Sequence, residues 1–460
     1  MGECTLTNEP RDSTIDVGSD PLPPNQAEVL RVVQNACDRG GNSADFQAQC
    51  EAMAATDDTN GVRNSLKAET ADDAAAARSS GMQTANIQVT AVDGRIGTLR
   101  GGGGAGFTAS GFNMSYGDVS VSGGLLASFI SAFDTNNPEF MQANATANDE
   151  PGFLEEFGRW GAWISGRVIF GSKDPTDAQV EYDFDTAGLT FGMDYRFSDN
   201  LVAGVAVGYA NTEADLKSKS GEMDTKGYSV SLYGTYFKGD SFYLGGSIGY
   251  GDNDYDLTRQ VSYSLAMPSN TSLPAWAFDV EQTLGAKYSG DQFSAAFSGG
   301  WDYNKNGWTF GPTFRIDWVK VNVNSYDEVL LSSNAGVPMQ YGWAAQIDKQ
   351  KYESLQPSVG FAFSKAVSAS WGIFIPQGYI DVISELKDGG ILVTGRFRGD
   401  GGGETFGLQT DDFEETFVRA GLGFGLVLKN NKSAFFMADG DLGRDLLTTY
   451  YLNAGFRWQF

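Results

Sequence analysis

The chain of 460 residues contains no histidine. That excludes Ser-His-Asp and Cys-His catalytic sites and every His-ligated metal centre. It has only three cysteines, Cys4, Cys37 and Cys50, too few for a disulfide-built scaffold. Long apolar runs are missing as well. The longest, Gly123–Phe133 (GGLLASFISAF), falls short of the roughly 18 residues that a transmembrane helix requires. Cations are scarce: 32 Lys and Arg stand against 58 Asp and Glu, a net charge of −26. The acidic excess runs through the whole chain and argues against a nucleic-acid partner, which demands a basic face. The opening MGECTLTNEPRDST has neither a charged n-region nor an apolar core, so it does not read as a secretory signal or place Cys4 at a lipoprotein site. A chain bound for the cell envelope needs such a signal, so the expectation is a removed leader or a longer precursor.

Glycine and aromatic residues are abundant. There are 59 Gly, and aromatic residues make up 13% of the chain, led by 31 Phe and 19 Tyr. Rich glycine and aromatic content without a long apolar run is how a membrane β-barrel reads, because lipid-facing and lumen-facing side chains alternate.

Four segments follow from the changing period. Residues 1–24 are polar and proline-rich, a linker. Residues 25–104 read as helical. Val29, Val32, Val33, Ala36 and Cys37 fall on one helix face, and Gly40-Gly41 end it. Ser43 can cap a second helix carrying Phe46, Cys50 and Met53. Cys37 and Cys50 flank the turn between the two helices and can pair in an oxidising compartment, the alternative being reduced, buried thiols. A third helix is expected from about Gly61 to Arg100, too weakly apolar for a buried core, ending at the glycine run 101–104. That run has no Lys-Ser/Thr after it and is no phosphate loop. Residues 105–150 read as a linker. Either 61–100 or 105–150 could thread a pore.

From Trp160 the period is two, and it stays so to the end. Within the region 151–460 twelve strands are expected, near 159–171, 183–197, 200–212, 224–238, 241–257, 288–304, 307–324, 352–365, 369–386, 413–429, 432–442 and 448–460. In 185–197, Ala187, Leu189, Phe191, Met193, Tyr195 and Phe197 share one face, and Thr186, Gly188, Thr190, Gly192, Asp194 and Arg196 the other. Charges inside a strand must meet water or each other, so Asp194 and Arg196 are expected to face a wet lumen, as is Arg457 in the last strand. Short connections (198–200, 238–240, 305–307) alternate with long acidic ones (172–182, 213–223, 258–287, 325–351, 387–412). Hydrocarbon leaves no partner for an open strand edge, so such a sheet must close into a barrel. The fold class is therefore mainly β: a transmembrane antiparallel barrel of about twelve strands behind a helical N-terminal region. A soluble sandwich would not place Arg and Asp on its inner face so often.

The last strand alternates Tyr450, Leu452, Ala454, Phe456, Trp458 and Phe460 on one face. Such an ending looks like the assembly signal of outer-membrane barrels, with Phe456, Trp458 and Phe460 as its apolar positions. The stretches GRWGAWISGRVIFGS (158–172), FDTAGLTFGMDYRFSDNLVAGVAVGYANTEADL (184–216), GYSVSLYGTYF (227–237), FYLGGSIGYGDNDYDLTR (242–259) and GWTFGPTFRIDWVKVNV (307–323) resemble the translocator barrel of autotransporters, type V secretion proteins. The resemblance implies integral placement in the outer membrane of a Gram-negative bacterium, in contact with its lipid. It also implies assembly by periplasmic chaperones and the barrel-assembly machinery, and export or display of an N-terminal passenger. VDGRIGTLR (92–100) looks like the family's linker ahead of the barrel. One branch of the family is cut in the pore at an Asn pair. The register puts Thr90 and Ala91 there, so self-cleavage is not expected. A stand-alone porin or surface adhesin with a small N-terminal domain is the alternative reading. No catalytic residue, metal ligand or cofactor site is assigned. GDNDYD (251–256) lacks the glycine and closing Glu of a calcium loop, and Arg398-Gly399-Asp400 is either an integrin-type ligand or a chance triplet in a glycine-rich loop.

Overall fold

The computed structural model describes residues 14–71, 76–98 and 160–458, with short interruptions at 218–220, 239–241, 336–338, 388, 413–414 and 429–431, and the strand pair Ser115–Tyr116 with Val119–Ser120. Most of the segment 99–159, including the glycine run and the linker 105–150, lies outside the described residues.

Twelve long strands follow one another around a closed antiparallel sheet. They are β1 (Trp160–Lys173), β2 (Tyr182–Ser198), β3 (Leu201–Leu216), β4 (Gly221–Lys238), β5 (Phe242–Ser264) and β6 (Asp279–Trp301). The remainder are β7 (Trp308–Val323), β8 (Gln350–Lys365), β9 (Gly372–Ser384), β10 (Thr416–Leu428), β11 (Lys432–Leu442) and β12 (Leu447–Trp458). Each pairs with its sequence neighbour, and β12 returns to β1 with Leu447 opposite Lys173 and Ala454 opposite Gly166. Closure leaves no edge in lipid.

The alternation is carried through into burial. In β2, Tyr182, Phe184, Thr186, Thr190 and Asp194 are buried, whereas Leu189, Phe191 and Met193 are exposed on the outside. Outward rows continue across neighbours as Val205, Val207, Val230, Leu232 and Ile248, all exposed. Aromatic side chains bracket this band: Tyr209, Tyr228 and Tyr250 towards one end, Phe197, Tyr236, Trp301 and Trp308 towards the other. Amphipathic rings at the two interfaces of an apolar belt mark a membrane-spanning barrel. No described helix is long and apolar enough to cross a membrane.

One end of the barrel is made of tight turns. Asn306 and Gly307 both have positive φ (52° and 77°) between paired Lys305 and Trp308, the mirror-image turn that Asn-Gly favours. The other end is elaborated. Two connections expected to be long loops, 213–223 and 258–287, are mostly strand: β3 and β4 run on to Leu216 and from Gly221, and β5 and β6 to Ser264 and from Asp279. The reason is that alternation does not stop at the membrane. Beyond Tyr209 the outward positions become Asn211, Glu213 and Asp215, while Thr212, Ala214 and Leu216 stay buried. Within 326–409 the loops build a small sheet of Tyr326–Asp327, Ala345–Ile347, Leu392–Phe397 and Thr405–Gln409.

The N-terminal region folds onto this elaborated end. Helices α1 (Pro24–Arg39), α2 (Ala44–Ala54) and α3 (Thr59–Glu69) form a cap, and α4 (Ala76–Thr98) enters the barrel. The single helix expected over 61–100 is therefore two, broken after Glu69. Cys37 and Cys50 are joined by a disulfide, their Cα atoms 5.6 Å apart. Ser43 stands at the N-cap position of α2 without a side-chain cap hydrogen bond. Phe46 of α2 sits between Trp343 and Phe397, ring centroids 5.0 and 5.8 Å away. Helix α1 closes the outer edge of the small sheet with side chains. Asn25 pairs with the Gln409 N–H and C=O (2.8 and 2.9 Å), Glu28 accepts from the Gly407 N–H (3.1 Å), and Arg31 donates to the Thr405 carbonyl (2.9 Å). Residues three apart on a helix thus satisfy backbone groups two apart on a strand, and an exposed edge is blunted.

Candidate functional site in the barrel lumen

Helix α4 lies inside the barrel, packed against β2 to β7. Its sequence explains why a polar wall accepts it. Small apolar residues are interspersed with Ser, Thr, Gln, Asp and Arg, several of which bond the wall. At its start, Ser79 Oγ lies 2.5 Å from the Tyr182 hydroxyl of β2. Midway, Thr84 Oγ1 is 3.3 Å from that of Thr212, which in turn meets Thr186 at 2.9 Å. Near its end, Arg95 grips Asp194 at two points, Nε–Oδ2 2.6 Å and Nη2–Oδ1 2.9 Å. Tyr233 donates to the same carboxylate (3.0 Å) and accepts from the Trp163 indole (2.8 Å). Asp93 points the other way, paired with Arg315 of β7 and accepting from Ser298 Oγ (3.0 Å). Arg315 also holds Asp317 at 2.5 Å. The helix end is thus fixed to opposite walls by two ion pairs of opposite polarity.

Glycine makes the room. A Cβ at Gly188, Gly227 or Gly245 would come closer than 3.0 Å to Ile87, Thr84 or Ile96 respectively, and one at Gly208 equally close to Gln88. These inward glycines are the seats of helix side chains. Away from them a cavity of about 120 Å³ remains, lined by Asn86, Thr90, Arg167, Asp381 and Arg419 among others. On its wall Arg419 is bidentate with Asp441 (2.6 and 3.1 Å) and donates to the Tyr451 hydroxyl (2.7 Å).

The residues singled out in the sequence fall as follows. Asp194 is buried in the lumen, but its partner is Arg95 of the helix rather than water or Arg196. Arg196 lies by the turn, donating to the Asp199 carbonyl (3.2 Å) over the Phe237 ring. Phe456 and Trp458 are in β12, opposite Ala434 and Lys432 of β11. Their side chains, that of Arg457 and the whole of Phe460 lie outside the described residues. The helix continues unbroken through Thr90 and Ala91. Asp252, Asp254 and Asp256 point outward from β5, and among the described residues no three acidic or cysteine groups gather as a cation site. Sequence reasoning did not single out Asp93 or Arg95. Their opposite charges in VDGRIGTLR, two apart in an otherwise small and apolar stretch, were the available signal.

The family model for the autotransporter β-domain matches residues 162–439. The chain belongs to that family. It is an integral outer-membrane translocator barrel of a Gram-negative bacterium. Among curated relatives, the uncharacterized protein YaiT of Salmonella typhimurium is 27% identical over 124 residues, 26% of this chain and 12% of that protein. Outer membrane protein A of Rickettsia conorii is 24% identical over 276 residues, 59% of this chain and 13% of that protein. The chain thus spans only about an eighth of the length of these relatives. Among solved structures, the translocator domain of the autotransporter NalP from Neisseria meningitidis aligns with 73% of this chain and 99% of its own, at 14% identity and a TM-score of 0.46.

Proposed function

We propose that the barrel conducts an N-terminal passenger to the cell surface, and that α4 then remains as a plug while α1–α3 stay outside as its anchor. The observation that carries this is the direction of α4. Its first turns bond Tyr182 at the external end of β2, and its last bond Asp194 near the periplasmic turn. The chain therefore runs inward through the pore and its N-terminal side lies outside. A lumen between that of a filled eight-stranded barrel and an open sixteen-stranded porin is of a size for one helix. The filled lumen favours this reading over an open porin. We infer that the chain performs no catalysis of its own. Delivery by periplasmic chaperones and insertion by the barrel-assembly machinery belong to the same proposal, with the alternating last strand as the recognised element.

The test is topological. A signal peptide and an epitope tag are placed ahead of Met1 and the protein is expressed in a Gram-negative host. The tag is expected to be protease-accessible on intact cells. Lys349→Cys should label on intact cells and Asp199→Cys only after permeabilisation. A tag retained in the periplasm, or labelling at Asp199→Cys alone, overturns the proposal.

A further inference from the structure

Most contacts that hold the cap stay in one ionisation state across the neutral range. Asn25 uses amide bonds, and Phe46 packing. Asp45 Oδ2 accepts the N–H groups of Gln340, Tyr341 and Gly342, each at 2.8 Å. Burial opposes the charge on Asp45, but these amides outweigh it and hold the carboxyl below its ordinary range.

Glu69 is different. It is the last residue of α3, 0% exposed, against the external extension of β5. The titratable and charged groups facing it are Tyr263 and Arg259, both on β5. Arg259 is already committed: Nε and Nη2 bind both oxygens of Glu328 (2.6 and 2.8 Å), and Nη2 donates to the Trp343 carbonyl (3.0 Å). Glu328 in turn accepts from the Ala345 N–H (2.7 Å), and the Tyr263 hydroxyl accepts from the Trp343 indole (3.0 Å). Neither oxygen of Glu69 makes a well-formed hydrogen bond. Lys67, on the same helix, is exposed. A buried carboxyl with only the Tyr263 hydroxyl and an Arg259 already paired with Glu328 beside it therefore stands next to the Tyr263–Trp343 contact, and Trp343 is the residue on which Phe46 rests.

We propose that Glu69 is a proton-operated latch: neutral, it lets α3 lie on β5, and ionised, it releases α3 and loosens the cap from the external mouth of the barrel. An anion at this position has three courses. It can stay buried and unpaired, which is costly. It can draw Arg259 from Glu328, which frees the backbone at Trp343 and Ala345. Or it can lift α3 into water. The first raises the energy of the seated state, and the others unmake the seat. Burial pushes the Glu69 carboxyl up to about 8, with Tyr263 and Arg259 pulling against it. A released Glu ionises near 4.5. Between those values the seated cap holds one more proton than the released cap, so seating weakens as pH rises and levels off above about 8. The seated-to-released ratio should fall about tenfold per pH unit across that window.

The whole chain, with Cys4→Ser, is spin-labelled at Lys67→Cys and Glu222→Cys in liposomes, and the inter-label distance is measured by electron–electron resonance from pH 5.5 to 9.5. The Cys37–Cys50 disulfide leaves no other thiol. Expected is one narrow distance in acid that broadens and lengthens progressively as pH rises towards 8 and changes no further above it, while Glu69→Gln, neutral at every pH, stays narrow. Asp45→Asn removes a different cap contact and should keep the pH dependence. A native distance unchanged to pH 9.5, or a Glu69→Gln chain broadening as the native chain does, overturns the latch.

Discussion

Arg95 and Asp194 meet 99 residues apart in sequence, as a buried two-point ion pair between the lumen helix and β2. Losing one partner of such a pair strands the other charge and typically costs about 3–5 kcal/mol, whereas replacing both with apolar groups of similar size is often neutral. Asp194→Ala is therefore expected to weaken the seating of α4 by that amount, and Arg95→Met with Asp194→Leu to recover most of it. Single-channel recording checks this. The single variant should show frequent open events, and the double variant and the native chain few.

Gly245 and Gly246 make a second test, because neighbours on a strand face opposite ways. A Cβ at Gly245 would strike Ile96 of the helix, whereas at Gly246 the nearest atom is the Ala296 carbonyl at 3.4 Å. Gly245→Val is expected to exclude the end of α4 and raise conductance. Gly246→Val should leave conductance as in the native chain. Equal conductance in both variants would mean that the helix does not rest on this wall.

Which parts of this arrangement were legible follows from where the period is simple. Between Trp160 and Trp458 hydrocarbon and lumen dictate an alternation of two, and Leu189, Phe191 and Met193 against Thr190, Gly192 and Asp194 state it directly. The reach of β5 past residue 257, where the expected strand ends, to Ser264 was not legible, because outside the membrane Thr258, Gln260, Ser262 and Ser264 fill the outer face and Arg259 joins the inner one, so the stretch mimics a loop. The lumen guest was half legible. A weakly apolar helix over 61–100 was apparent, but its break after Glu69 has no proline or glycine to mark it. Glycines such as Gly188 and Gly227 read as lining for water. They are seats for Ile87 and Thr84, and a sequence does not say which of two elements a glycine makes room for.

Cys37 and Cys50 bound a loop with a sequence separation of 13 at the tip of the cap. Closing a loop of that size stabilises by about 3 kcal/mol in the chain-entropy account. Reduction should lower the melting temperature of the cap and leave that of the barrel unchanged. Differential scanning calorimetry with and without dithiothreitol checks it. A fall in both transitions would show that cap and barrel melt as one unit.

Phe46 gives the packing counterpart. It is fully buried between Trp343 and Phe397, and truncating such a ring typically costs about 3–5 kcal/mol. Phe46→Ala is expected to release the cap, seen as protease sensitivity within α1–α3 on intact cells. A cap as resistant as the native one would place its main support elsewhere, on the Asn25, Glu28 and Arg31 contacts.

The triplet Arg398-Gly399-Asp400 reads in the sequence as either an adhesion ligand or chance, and its surroundings give it a structural task. The Asp400 side chain is 0% exposed. It pairs with Arg39 at 2.5 Å and accepts from the N–H groups of Gly402 and Glu404 at 2.8 and 2.7 Å. The Gly399 carbonyl accepts from the Ser43 N–H (2.9 Å), and a Cβ on Gly399 would press into Phe46. Arg398 lies over the Tyr341 ring and donates to the Glu328 carbonyl. The Arg and Asp side chains of the triplet are thus both engaged within the protein. Asp400→Ala leaves two amides and one face of Arg39 unmatched, so it is expected to destabilise the cap by at least the about 1.5–3 kcal/mol that a single charge-assisted bond is worth. Bacteria displaying the native chain and the variant should bind integrin-coated surfaces alike, at background level. Integrin binding above background by the native chain and lost in Asp400→Ala would show that the loop opens, and the cap with it.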